Sequence, residues 1–368
     1  SFILQASWIL LSIIAFLLLA RVASNRIPTI EMDMFSNLSL QAKSKIIISF
    51  YQIISSLQVV YGVKLDSKLK GWFDIFNFIS LDVFDLVALP RSCVGSMRMQ
   101  LIASTIWPYM LIALGAIGMV ISTFVVDRVQ ALLHEEGSEV HPSRKMKIKK
   151  KIIFFTIVVF YFALPTVSRS AFSAIKCRSF QTNDNQPAPD YRSYLVADMN
   201  IQCNDDDEEY ARLKSLFWLF FALWPVLTPL LFTMLLVHIR PSVRRNSPTP
   251  LAIACRFFWD DYDESMMFWD VIDTVRKLIL TGFIMFFDPE KGSNKLFRLA
   301  VASIISSLYL GILANARPYK RDDDFYLAFV GNFLLICCFV MGGLLQLCNE
   351  EQIDIADEDD GTCNRFVG

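Results

Sequence analysis

Residues 257–278 read FFWDDYDESMMFWDVIDTVRKL, an aromatic and acidic run that gives way to an apolar segment ending near Phe287. The chain then turns at DPEKGSNK (Asp288–Lys295), returns through a second apolar segment and closes at ARPYK (Ala316–Lys320). The later half of the charged run reads as a helix that passes straight into a span. On that helix Asp273 reaches Arg276 and Lys277 at i+3 and i+4, and Asp270 sits one turn earlier on the same side. Such pairs let charges sit at a membrane surface at lower cost. The functional alternative is a coupling segment, Trp269, Asp270, Asp273, Arg276 and Lys277, that passes cytoplasmic motion to the membrane helices. The neighbouring acids Asp260, Asp261, Asp263 and Glu264 lack the glycine and twelfth-position Glu of an EF-hand loop, so no metal site is expected.

Working outward, the rest of the chain has the same character. Over 368 residues, 54% are hydrophobic and 13% aromatic, with a mean hydropathy of +0.43. That surplus is too large for a soluble domain of this length. It is arranged in blocks of about 17 to 25 residues between charged loops, the length an α-helix needs to cross about 30 Å of hydrocarbon. The fold class is therefore all-α: a polytopic helical membrane protein with about eight transmembrane helices and an amphipathic helix on the extracellular side. The spans fall near 2–20, 46–63, 100–126, 152–168, 213–239, 271–287, 296–314 and 325–347, in a single transmembrane domain over 1–368. The second of them carries Gln52, Ser55, Ser56 and Gln58, and spans only if these face other helices.

Orientation follows from charge. Between Asp127 and Lys151 stand Arg128, Arg144, Lys145, Lys147, Lys149, Lys150 and Lys151, the most basic loop of the chain, which the positive-inside rule places in the cytoplasm. Residues 169–212 then form an extracellular loop and 348–368 an extracellular tail. Cys177 and Cys203 share that loop on the oxidising side and should pair, contributing about 3 kcal/mol. Cys348 and Cys363 bracket an acidic tail and are a second candidate disulfide. The first residue lies at the edge of an apolar run without an initiator methionine, which leads us to expect a preceding extracellular N-terminal module.

Two segments carry further candidates. Between Gly71 and Pro90, Asp74, Asn77, Asp82 and Asp85 gather on one face of a helix and Phe76, Ile79, Val83 and Leu86 on the other. The segment either lies flat at the outer interface or forms a vestibule whose Asp74, Asp82 and Asp85 attract cations. In WPVLTPLL (Trp224–Leu231), Pro225 and Pro229 stand four residues apart and predict a kinked or partly unwound span, a candidate hinge or a static bend.

The succession PRSC (Pro90–Cys93), LPTVSRSAF (Leu164–Phe172), SYLVADMNIQC (Ser193–Cys203), WPVLTPLL, FFWDDYDESMMFWDVIDTVRKLILTG and ARPYKRDDDFYLA (Ala316–Ala328) resembles the membrane region of large protist proteins. Those proteins carry cysteine-rich, EGF-like or ephrin-receptor-like repeats before a transient-receptor-potential-like, polycystin-like domain. The resemblance implies a helical membrane domain with channel-like function. Against true channels of that superfamily, the DPEKGSNK turn is too short to hold a pore helix.

The sequence thus leads to a TRP-like cation channel or channel-like subunit of a larger surface protein. The alternative is a membrane anchor or receptor domain that holds an extracellular cysteine-rich module and signals to cytoplasmic partners. An enzyme is not expected: His134, His141 and His238 do not converge, and there is no HExxH, GxSxG or phosphate-binding glycine loop. The expected partners are the lipid bilayer, cations, the preceding module and other copies of the chain in a homo-oligomer. The balanced net charge of -1 gives no nucleic-acid footprint, no cofactor is expected, and the location is the plasma membrane or another membrane of the secretory pathway.

Overall fold

The computed structural model describes residues 40–63, 95–133, 142–181, 191–204, 206–286 and 294–354. The chain divides into units Ser1–Lys45 and Ile46–Gly368. Of the first, only residues 40–45, the opening of one helix, are described; the remaining described residues belong to the second. The predicted span 2–20, the segment 72–89 with Asp74, Asp82 and Asp85, and Cys363 lie outside the described residues. So does the side chain of Cys348, and with it the second candidate disulfide.

The described elements are α1 (Leu40–Val59), α2 (Met97–Leu133), α3 (Pro142–Ala174), β1 (Cys177–Gln181), β2 (Tyr191–Leu195), α4 (Glu208–Phe221), α5 (Thr228–Arg244), α6 (Pro250–Ala254), α7 (Arg256–Trp259), α8 (Trp269–Thr281), α9 (Asn294–Ala316) and α10 (Asp322–Asp354). Helix α9 packs along α10, α2 along α3, and α8 against α3. The core between them is largely aromatic, with Trp224, Tyr161, Phe217 and Phe258 fully buried. Large apolar side chains also point outward: Met110, Leu114, Ile117, Ile121 and Phe124 form an exposed stripe on α2. A stripe of that size is stable in lipid and not in water.

Five of the described helices are long and apolar enough to cross a membrane: Met97–Ser122, Ile148–Ala174, Glu208–Arg244, Leu296–Ala316 and Asp322–Leu347. Of the three other predicted spans, one lies outside the described residues. The segment 46–63 is helical through Val59, but its Gln and Ser residues dilute its hydropathy. The segment 271–287 is helical only to Thr281, and the 13 residues of α8 reach about 20 Å, short of a full crossing. Gly282 ends it: a Cβ there would collide with the Phe172 ring, which sits against Phe217, Phe221 and Phe283. The chain continues as a single 3₁₀ turn over Phe283–Phe286.

The glycines of the long helices divide by what stands beside them. Gly115 lies against the Phe155 ring and Gly342 against Val63 and Leu299, whereas Gly118, Gly331 and Gly343 face open space.

The loop over 169–212 is shorter and more ordered than an irregular cap. Helix α3 runs on to Ala174, and β1 and β2 form an antiparallel pair with Cys177 opposite Leu195 and Gln181 opposite Tyr191, a small departure from an all-α fold. Cys177 and Cys203 are joined in a disulfide, and the Cys203 amide donates to the Ser193 carbonyl at 2.8 Å. The acidic run after it starts a helix. Asp207 caps α4, accepting from the amides of Glu209 at 2.9 Å and Tyr210 at 3.4 Å, and Glu208 and Glu209 complement the helix dipole. Replacing Asp207 with Ala is expected to cost about 1 kcal/mol, read as a shift in the unfolding midpoint in detergent.

Candidate functional site

Helix α8 is the hub of the described bundle. Its spacing puts Asp270, Asp273, Arg276 and Lys277 on one side, and that side is inside the protein: Asp270 is 1%, Arg276 7% and Lys277 1% exposed. Asp273 bridges both cations, at 2.8 Å to Arg276 and 3.4 Å to Lys277. The i+3 and i+4 pairs form as their spacing predicts, but within the packed bundle and not at an open surface.

Asp273, Lys277 and Arg276 reach out to four other helices. The Ser49 hydroxyl of α1 donates to Asp273 at 3.3 Å. Lys277 donates to the Tyr161 hydroxyl of α3 at 3.0 Å and lies 4.1 Å from that ring's centroid. The Arg276 guanidinium stacks on Tyr309 of α9 at 3.9 Å and donates to the Asn332 side-chain oxygen of α10. Asn332 is ten residues into α10, about 15 Å along its axis, so the cluster lies well inside the bundle. Charges at such depth persist only when paired and hydrogen-bonded. Here two carboxylates face two cations.

At the C-terminal end of the hub, the Tyr61 hydroxyl donates to the Leu280 carbonyl at 2.8 Å. At the other end, the two halves of the 257–320 stretch are clasped together. The Asp263 amide donates to the Pro318 carbonyl at 2.9 Å and the Lys320 amide to the Asp261 carbonyl at 3.1 Å. The Lys320 ammonium donates to the Asp260 carbonyl at 2.8 Å. Tyr262 and Tyr319 face each other across this bridge, ring centroids 5.1 Å apart.

From the clasp the Tyr262 hydroxyl donates to Asp270 at 2.7 Å. Burial, and then the Asp270 carboxylate, pushes the Tyr262 phenol well above its usual range, which keeps it protonated as the donor. A cavity of about 190 Å³ opens beside the clasp, with Val243, Trp259, Tyr262, Glu264 and Lys320 among its lining.

The candidate hinge lies elsewhere. Residues 222–227 between α4 and α5 form a π-helical turn containing Pro225, with Pro229 in the first turn of α5. Prolines remove backbone donors, and the Thr228 hydroxyl donates to the Leu223 carbonyl at 3.2 Å. Trp224 of this turn is fully buried against Tyr109 and Phe160.

Sequence reasoning missed the partners Ser49, Tyr161, Tyr309 and Asn332, and the clasp through Tyr262 and Tyr319. The usable signal was Asn332 within a long apolar span, since polar groups there face the bundle interior. Among the described residues, no group of three or more His, Cys, Asp or Glu is placed to hold a metal ion.

Cys255, between α6 and α7, is fully buried, and burial pushes its thiol up to about 11. Below that pH it stays a protonated thiol, and a thiolate-seeking maleimide at neutral pH is expected to leave it unmodified in the folded chain and modify it after denaturation. Peptide mass mapping reads both states.

No protein-family model matches this chain, and neither a curated protein nor a solved structure matches it.

Proposed function

We propose that the chain is the membrane domain of a TRP-like cation channel or channel-like subunit, with α8 as its coupling element. The observation that carries this reading is the buried charge cluster. Ionisable residues inside a membrane bundle are costly and mark functional elements by default, and here they tie five helices to a cytoplasmic clasp. Arg276 and Lys277 make the cluster itself a poor path for cations. It fits transmission, and the attraction of cations falls to Asp74, Asp82 and Asp85 at an outer vestibule.

In this reading the basic loop is cytoplasmic, the disulfide-tied hairpin is outside, and the segments 2–20 and 46–63 join the five apolar helices in a plasma or secretory-pathway membrane, with α8 entering among them without crossing on its own. Other copies of the chain would complete the pathway. The disulfide-tied hairpin also suits the second reading, a receptor or anchor for an extracellular module.

The test is cation flux through the purified chain in liposomes, beside a triple D74N, D82N and D85N variant. Flux that falls in the folded triple variant supports the vestibule. Unchanged flux contradicts it, and no flux from folded, correctly oriented wild type favours the receptor reading.

A further inference from the structure

We propose that α8 is blind to membrane potential and takes its input mechanically from the clasp; this names the regulation of the site and rests on the channel reading above. Four charged side chains ride on α8 inside the bundle, Asp270 and Asp273 against Arg276 and Lys277. Their charges sum to zero. A rigid body with no net charge does no net work against a uniform membrane field when it moves along the membrane normal within it.

What remains is a dipole. The midpoint of the two acids lies five residues before that of the two cations, about 7.5 Å along the axis. Tilting the helix by about 30° shortens its projection by about 1 Å. That moves less than about 0.1 elementary charge across about 30 Å of hydrocarbon. The ion pairs add a second block, because a field pulling Lys277 or Arg276 one way pulls their shared partner Asp273 the other way.

The clasp, by contrast, reaches α8 through short, directional bonds. The Lys320 amide holds the Asp261 carbonyl and the Asp263 amide holds the Pro318 carbonyl. Tyr262, between those two residues, holds Asp270 at 2.7 Å. Displacement of the α9–α10 turn, or of the segment at 259–264, reaches Asp270 through the buried Tyr262 hydroxyl.

The test uses the whole chain in liposomes, with E264C carrying an environment-sensitive dye; Glu264 is exposed beside the clasp. Signal from the parent chain treated in the same way is subtracted. Potential is set by potassium gradients with valinomycin, and flux is corrected for driving force. Dye signal and flux of the otherwise unaltered chain are expected to change less than twofold between zero and inside-negative potential. K277M, which leaves one net negative charge on α8, is expected to acquire a dependence set by how far α8 moves along the normal, about threefold per 100 mV for a movement of about 8 Å across about 30 Å of hydrocarbon. If that variant does not fold, D270N supplies the opposite imbalance.

Y262F is expected to shift both readouts by the same factor at every potential. A change of about tenfold or more without any charge substitution would overturn the proposal, as would a folded unbalanced variant that stays flat. An absence of flux with a potential-independent dye signal contradicts the channel reading and leaves α8 blind to potential. An absence of flux with a potential-driven dye jump overturns the inference itself.

Discussion

Asp273→Ala is expected to lower the stability of the folded chain by about 3–5 kcal/mol, the range for breaking a buried ion pair from one side. The substitution removes the one carboxylate that serves both Arg276 and Lys277, and those cations are 7% and 1% exposed. Tyr161, Tyr309 and Asn332 can still approach them, but none brings a negative charge. The loss is the cost of leaving two buried cations with Asp270 as the remaining carboxylate on α8, more than the worth of two bonds. Pairing D273N with K277M restores the balance between the remaining Asp270 and Arg276. The double variant is therefore expected to be less destabilised than the sum of the singles by at least about 1 kcal/mol. Reversible unfolding in mixed detergent micelles, followed by helicity, gives all four corners of this cycle. Additivity within about 0.5 kcal/mol would mean that the cluster is not a coupled unit.

Opening the disulfide is the second large effect. Replacing Cys177 and Cys203 with Ser releases a loop closed across a sequence separation of 26 residues, and the denatured chain gains about 3 kcal/mol of conformational freedom. The hairpin keeps its backbone ladder but loses its tie to the chain leading into α4. The expected result is a lower unfolding midpoint of the same size on reduction as on substitution, with no further change when the Ser variant is reduced. A reductant effect that persists in that variant would place the stabilising bond elsewhere.

The spans that survive from sequence to structure are those in which length and composition decide the matter alone. The predicted spans 325–347 and 213–239 fall within Asp322–Leu347 and Glu208–Arg244, which are long and apolar enough to cross a membrane. The run 271–287 shows the limit. Its hydropathy continues past Thr281, but the helix stops where the Phe172 ring, more than a hundred positions earlier in the chain, occupies the space beside Gly282. The π-helical turn at 222–227 was legible as a local irregularity because Pro225 and Pro229 act on their own backbone.

The charge cluster was half legible. Asp270, Asp273, Arg276 and Lys277 announce one another by helical spacing, whereas Tyr161, Tyr309 and Asn332 are joined to them only by packing. Nothing local distinguishes Tyr309 from any other aromatic residue of its span. The hairpin at 177–195 escaped notice because CRSFQ and YRSYL are short and poor in β-branched residues, and register comes from the disulfide and the pairing itself. The clasp escaped for the opposite reason: both of its halves stand in the 257–320 stretch, but a two-residue backbone bridge leaves no pattern in side-chain type.

The proposed action of the clasp on the membrane helices through α8 stands or falls on cation flux through the intact chain in liposomes, wild type beside Y262F. The substitution removes one hydroxyl and with it the 2.7 Å bond to Asp270, while leaving the Tyr319 stack in place. Flux in the wild type and a several-fold change in the folded variant are expected. Flux identical in the two proteins, or none from folded wild type, would contradict it.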